Sequence, residues 1–241
     1  METTSWIGSR EIDLKETDQT KGLPQPPIEL GYDKTKSIID LPAPKDVKVD
    51  AIDLREAIEK RVSVRSYAKS PISLEELSWL LWCTQGVKGV TDRPSTLRMV
   101  PSAGSFHPFE TYLLVNRVEG LSPGLYRFLA IEHKLVEVSL EPDLADRITE
   151  ACWRQLWVKE SAVTFLWTLV VDRIIWRYRK RGLRNLIEAG HVCQNLYLSA
   201  EAVRCGVCAI GGFGDKKIND ILGIDGEEQA VVYIATVGKR K

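Results

Sequence analysis

Apolar positions along the chain change their period several times, and each change marks an element. "DLREAIEKR" (53–61) sets Leu54, Ala57 and Ile58 at helical spacing. "SLEELSWLLWCTQG" (73–86) predicts a second helix, with Ser73 and Glu76 at capping-box spacing and Gly86 where a helix stops. "FETYLLVNRV" (109–118) has the composition of a strand, and "GLYRFLAIEHKLVEVSL" (124–140) reads as a hairpin of two alternating strands. "AVTFLWTLVVD" (162–172) is apolar throughout, which puts it in a sheet interior rather than at an edge. From about Arg184 to Arg204, Leu186, Ala189, Cys193, Leu196, Ala200 and Val203 leave little solvent face, predicting a long central helix that a second subunit would partly cover. "DKKINDILGI" (215–224) is a short amphipathic helix, and "QAVVYIATVG" (229–238) a final strand. Helices and strands do not strictly alternate, so the class is α+β with a mixed sheet flanked by helices.

Residues 1–50 carry Pro24, Pro26, Pro27, Pro42 and Pro44 with little periodicity, which predicts an extended N-terminal arm over a body of residues 51–241. The polar, acidic start "METTSWIGSREIDLKETD" lacks the basic end and apolar run of a signal peptide. The most apolar segment is about half the ~20 residues that a membrane helix needs. Five cysteines, an odd number at scattered positions, suit reduced thiols, and together these features predict a cytoplasmic protein. Lys plus Arg equals Asp plus Glu at 33 each, so no overall field concentrates nucleic acid or an anionic membrane.

Candidate chemistry is local. Arg61, Ser63 and Arg65 alternate in "KRVSVRSY", so an extended backbone points all three the same way, an arrangement suited to a phosphate or another dianion. A solvated strand after a helix gives the same spacing. "PSAGSFHPFETY" (101–112) brings small residues, Ser102, Ala103, Gly104 and Ser105, to a turn where backbone can approach a flat ligand, although a simple turn accounts for it equally. In "CGVCAIGGF" (205–213), Gly211 and Gly212 could offer N–H groups to an acceptor. The cysteines there read as buried and structural: Cys205 falls at the end of the predicted helix, where the dipole raises a thiol pKa, and no further metal ligands are suitably spaced. The basic run "RIIWRYRKRGLR" (173–184) is a solvated helical face or a contact for a phosphorylated partner.

Taken in order, "IDLPAP", "AIEKRVSVRSY", "SLEELSWLLWCTQGV", "PSAGSFHPFETYLLV", "GLYRF", "RYRKRGLR", "EAGHVCQNLYLSAEAVRCGVCAIGGF" and "YIATVGK" resemble the FMN-dependent nitroreductase superfamily, in particular its SagB-like dehydrogenase branch, over about residues 38–239. The resemblance implies a nitroreductase-like α+β fold whose homodimer holds flavin at the subunit interface. It implies that Arg61, Ser63 and Arg65 line the FMN phosphate and the pyrimidine side of the ring, with Lys239 or Arg240 as a second phosphate contact. Ser102, Ala103, Gly104 and Ser105 would approach the flavin from the partner chain, and Gly211 and Gly212 would present backbone donors near the flavin N5. The implied activity passes electrons from a donor such as NAD(P)H through flavin to a small acceptor. Two alternatives are a SagB-like azoline dehydrogenase in peptide modification and a non-catalytic flavin-holding or nucleic-acid-associated module. The sequence departs from the pattern in places. Many nitroreductases have an acidic residue where Gly211 falls and an asparagine where Ser105 falls. Azoline oxidases are expected to carry a Lys-Tyr pair where Arg177 and Tyr178 stand. Tyr178 remains a catalytic candidate, whereas an arginine does not readily give up its proton.

Overall fold

A computed structural model describes residues 16–241, apart from the side chains at 180, 181 and 183, so the first fifteen residues of the arm lie outside the described residues. Its centre is a seven-stranded sheet in the order β1 (Ile38–Asp40), β6 (Lys134–Ser139), β5 (Gly124–Leu129), β4 (Phe109–Val115), β7 (Val163–Val170), β9 (Gln229–Lys239), β8 (Cys205–Ile210). Every pair in it is antiparallel, so the sheet is not mixed as the sequence suggested. Parallel pairing is limited to isolated bridges, among them Ser63 with Val207. Strands β2 (Val87–Thr91) and β3 (Ser95–Arg98) form a separate hairpin.

Both faces of the sheet are covered, which explains why β7 reads as an unbroken apolar run. Val163, Phe165, Trp167 and Leu169 point to one core with the helices α2 (Leu74–Gln85) and α6 (Glu188–Glu201). Leu166, one step out of phase, points to a second core with α3 (Leu144–Ala151), α4 (Trp157–Glu160) and α7 (Asp215–Leu222). Two further helices are α1 (Leu54–Lys60), which is largely exposed, and α5 (Val171–Tyr178), which contributes Ile174 to the first core. The capping box of α2 forms as its spacing predicts: the Ser73 hydroxyl accepts the Glu76 N–H at 3.1 Å and Glu76 accepts the Ser73 N–H at 2.9 Å.

The arm is more than a cover. Its residues 38–40 pair with β6 as the sheet's outermost strand. Farther upstream, the Gln19 N–H donates to the Trp176 carbonyl (3.0 Å), the Trp176 indole donates to the Leu23 carbonyl (3.1 Å), and the Arg173 guanidinium donates to the Pro27 carbonyl (2.7 Å). Arg173 also pairs at 2.5 Å with Glu110, and both side chains are almost fully buried.

The central helix is shorter than its sequence suggested. A 3-10 run, Arg179–Ile187, precedes α6, and the helix ends at Glu201. Arg204 has a positive φ of 54°, which turns the chain out of the helix and into β8. Cys205 therefore opens a strand rather than closing a helix, and the dipole argument does not apply to it.

Candidate functional site

The segment after α1 lies along the free edge of β8. The Val64 N–H donates to the Val207 carbonyl at 2.8 Å, and farther on the Ala68 N–H donates to the Lys239 carbonyl at 2.9 Å. A side chain at 206 would collide with Val64, its Cβ falling 2.6 Å from that residue's Cβ, so the glycine of "CGVC" is what lets the segment lie this close. Tyr67 locks it in place, its hydroxyl 2.7 Å from both the Val64 carbonyl and the Thr236 hydroxyl.

This course brings Arg61 and Ser63 onto one residue of α6. The Arg61 guanidinium lies 5.3 Å from the centre of the Tyr197 ring, and the Ser63 and Tyr197 hydroxyls are 2.9 Å apart. The Tyr197 oxygen also accepts the Ala209 N–H at 2.9 Å. Tyr197 can then pass its own proton to Ser63, leaving the serine proton free for an acceptor outside. The Arg65 guanidinium lies 5.8 Å from the ring centre of Trp157. Among the described residues neither Arg61 nor Arg65 forms an ion pair. Lys239 and Arg240 differ from them: Lys239 is paired with Glu76 and donates to the Val203 carbonyl at 2.9 Å, and Arg240 is paired with Glu201. Of these four cations, the two without a carboxylate partner among the described residues are those of the alternating motif.

Gly211 and Gly212 follow the end of β8, and Gly212 lies against Trp153, four residues before the Trp157 that faces Arg65. Gly211 is exposed, with open space where a side chain would project. The N–H groups of Gly211 and Gly212 take part in none of the hydrogen bonds among the described residues. A Cβ at 212 would lie 2.8 Å from the Trp153 ring.

The two cysteines beside this loop cannot act as a dithiol. Three strand residues apart, their Cα atoms are separated by about 10 Å, beyond the ~7 Å limit for a disulfide. Burial pushes the Cys205 thiol pKa up to about 12, and it raises that of Cys208 in spite of the nearby Arg65 charge. The sequence reading of buried, structural thiols therefore holds, through burial rather than through a helix end.

A second group gathers near the other end of α6. Ser102, Ala103, Gly104 and Ser105 form a tight turn with positive φ at Gly104 (63°) and Ser105 (57°). It is held by the Ala103 N–H, which donates to Glu188 at 2.7 Å, and by Arg93, which donates to the Gly104 carbonyl at 2.7 Å. Burial holds the Glu188 carboxyl above its ordinary range. The Tyr178 hydroxyl is 2.8 Å from where a Cβ on Gly104 would stand. Glu188 and Tyr197 are nine residues apart on one helix, about 13 Å along its axis. Within one chain the phosphate-type group and the small-residue turn thus sit apart.

Sequence reasoning did not reach Tyr197, Trp153, Trp157 or Glu188 as site residues. Tyr197 was legible only as a core position of the helix, and the α3–α4 region carries no motif.

With this geometry the chain belongs to the Nitroreductase family, whose model matches residues 58–239. Among the similar proteins that carry the name "putative nitroreductase" are the following three. MJ1384 from Methanocaldococcus jannaschii is 33% identical over 177 residues, covering 73% of this chain and 87% of its own. The crystal structure of the Anabaena variabilis protein is 30% identical with a TM-score of 0.67; the match covers 78% of this chain and only 38% of that longer one. The Desulfovibrio desulfuricans protein, solved in complex with FMN, is 16% identical with a TM-score of 0.55, covering 79% of this chain and 87% of its own. The E. coli microcin synthetase McbBCD complex, with truncated pro-MccB17 bound, contains a chain 18% identical with a TM-score of 0.60, covering 99% of this chain and 85% of its own. At identities this low the last two show a shared fold. No helix among the described residues is long and apolar enough to cross a membrane.

Proposed function

We propose that the protein is an FMN-dependent oxidoreductase that takes electrons from NAD(P)H and passes them to a small acceptor, working as a cytoplasmic homodimer. The observation that carries the reading is the pair of uncompensated guanidinium groups, Arg61 and Arg65, on either side of a pre-oriented Ser63 hydroxyl and beside an open glycine loop. Two full positive charges without carboxylate partners suit the FMN phosphate and the electron-rich edge of its ring. When bound, FMN supplies the two-electron chemistry that the side chains lack. The chain's own part is to bind and orient it. Arg61 and Ser63 hold the phosphate, Arg65 places a fixed charge that favours the reduced, more anionic ring, and the Gly211 and Gly212 N–H groups donate near N5. Lys239 and Arg240 would join the phosphate only by exchanging Glu76 and Glu201 for it.

The homodimer would bring Ser102, Ala103, Gly104 and Ser105 of one chain toward the flavin held by the other. An apolar hollow of about 260 Å³ lined by Leu54, Met99 and Leu198 supports a covered face, as does the exposure of Ile58 (54%) and Ile187 (72%). Coverage of 99% of the chain, arm included, by the microcin synthetase match keeps azoline oxidation as the second reading, with Tyr178 the only residue of the Arg177–Tyr178 pair able to exchange a proton. Denaturing the purified protein and chromatographing what it releases tests the main reading: FMN, one per chain, is expected. FAD, or a colourless protein that cannot take up FMN, refutes it.

A further inference from the structure

The corner between α3 and α4 stands against the loop at Gly211 and Gly212. Trp153 and Arg154 stand there with positive φ, 53° and 61°, where bulky side chains are rarely found. The corner is fastened to the glycine loop twice. The Gly214 N–H donates to the Ala151 carbonyl at 2.8 Å, and the Gln155 amide donates to the carbonyls of Cys152 and Gly212, both at 2.9 Å. The strained turn therefore presents the Trp153 indole at Gly212, with three ring carbons within 2.8–3.7 Å of the position a Cβ there would take. Despite that contact, Trp153 remains 68% exposed. Four residues later the Trp157 ring lies under Arg65, and its indole N–H is buried without an acceptor.

We propose that Trp153 is a specificity-determining residue: its exposed indole face, fixed beside the glycine loop, selects second substrates that present a flat, unsaturated ring over aliphatic ones of equal size and charge. The inference rests on the flavin oxidoreductase reading. Aromatic faces gain from offset stacking beyond the area they bury, and a saturated ring cannot stack in the same way.

The test uses the FMN-loaded protein and two non-reducible probes, benzoate and cyclohexanecarboxylate, titrated through their effect on the flavin absorption spectrum. The wild-type protein should prefer benzoate. Trp153→Ala should weaken benzoate about tenfold, equivalent to about 1.4 kcal/mol, and change cyclohexanecarboxylate less than about twofold, while Trp153→Phe should restore most of the preference. Equal affinities in the wild-type protein, or equal loss of both probes in Trp153→Ala, overturns the role of Trp153 and leaves the flavin reading standing. A protein that takes up no FMN removes both together.

Discussion

Arg61 and Lys239 are both candidate phosphate ligands, and the structure predicts opposite phenotypes for their removal. The Arg61 cation lies over the Tyr197 ring and lacks a carboxylate partner among the described residues, so Arg61→Ala should cost the apo-protein little, within about 0.5 kcal/mol as for ordinary surface changes. Its loss should fall on the ligand instead: a hydrogen bond to a charged group contributes about 1.5–3 kcal/mol, so FMN affinity should drop on the order of 10- to 150-fold. Arg65→Ala should behave similarly and also lower the reduction potential of the bound flavin. Lys239 is held by Glu76 and the Val203 carbonyl, with both charged side chains about three-quarters buried. Lys239→Ala strands the Glu76 carboxylate and should destabilise the apo-protein by about 1–3 kcal/mol while changing FMN affinity little. Fluorescence titration with FMN gives one axis and urea unfolding of the apo-protein the other. If Arg61→Ala and Arg65→Ala bind FMN like the wild-type protein, or if Lys239→Ala loses FMN without losing stability, the division into free and neutralised cations is wrong.

Three further outcomes follow from the same geometry. Cys205→Ser and Cys208→Ser should leave flavin reduction by NAD(P)H nearly intact, whereas Gly211→Val should block it by filling the open space beside the ring; rapid-mixing reduction of each variant would show the reverse pattern if the thiols were redox partners. Burial, helped by the nearby Arg98, depresses the His107 pKa from 6.5 to about 3, so below pH 6.5 the unfolded chain takes up a proton that the folded one refuses. Stability should therefore fall as the pH drops from 6.5 toward 3, by about 2 kcal/mol at pH 5, and urea unfolding of His107→Asn should show a correspondingly shallower slope over that range. Glu110→Gln leaves the buried Arg173 charge unpaired and should cost about 3–5 kcal/mol in the same unfolding measurement.

Much of the fold could be read from the sequence wherever periodicity and local signals agree. The α2 boundaries followed from Ser73, Glu76 and Gly86, and the interior place of β7 followed from a run buried on both faces. The misreadings share a physical cause. Left-handed turns usually announce themselves by glycine, but here they are occupied by Arg179, Arg204, Trp153 and Arg154. The central helix was therefore extended at both ends, to about Arg184 and Arg204, the residues of β8 were left without an element, and the α3–α4 corner passed unnoticed. The motif Arg61, Ser63, Arg65 was legible because alternation alone predicts a common direction. Tyr197, which orients Ser63, was hidden because an aromatic at a core spacing of a buried helix looks like packing.

The same reasoning bears on Tyr178. It stands at the end of α5, its ring edge-on to that of Phe106 at 5.9 Å, and α5 is fastened to the arm through Arg173 and Trp176. Glu110 takes up both the Arg173 guanidinium and the Leu30 N–H, so the arm, the sheet and α5 meet in one buried network. The far end of α5 then brings the tyrosine hydroxyl to the backbone of Gly104, where glycine at a φ of 63° leaves room for it. Among the described residues the arm is thus linked to the small-residue turn through α5. A segment that looked like a proline-rich cover holds one side of the turn in place, while Glu188, at the start of α6, holds the other.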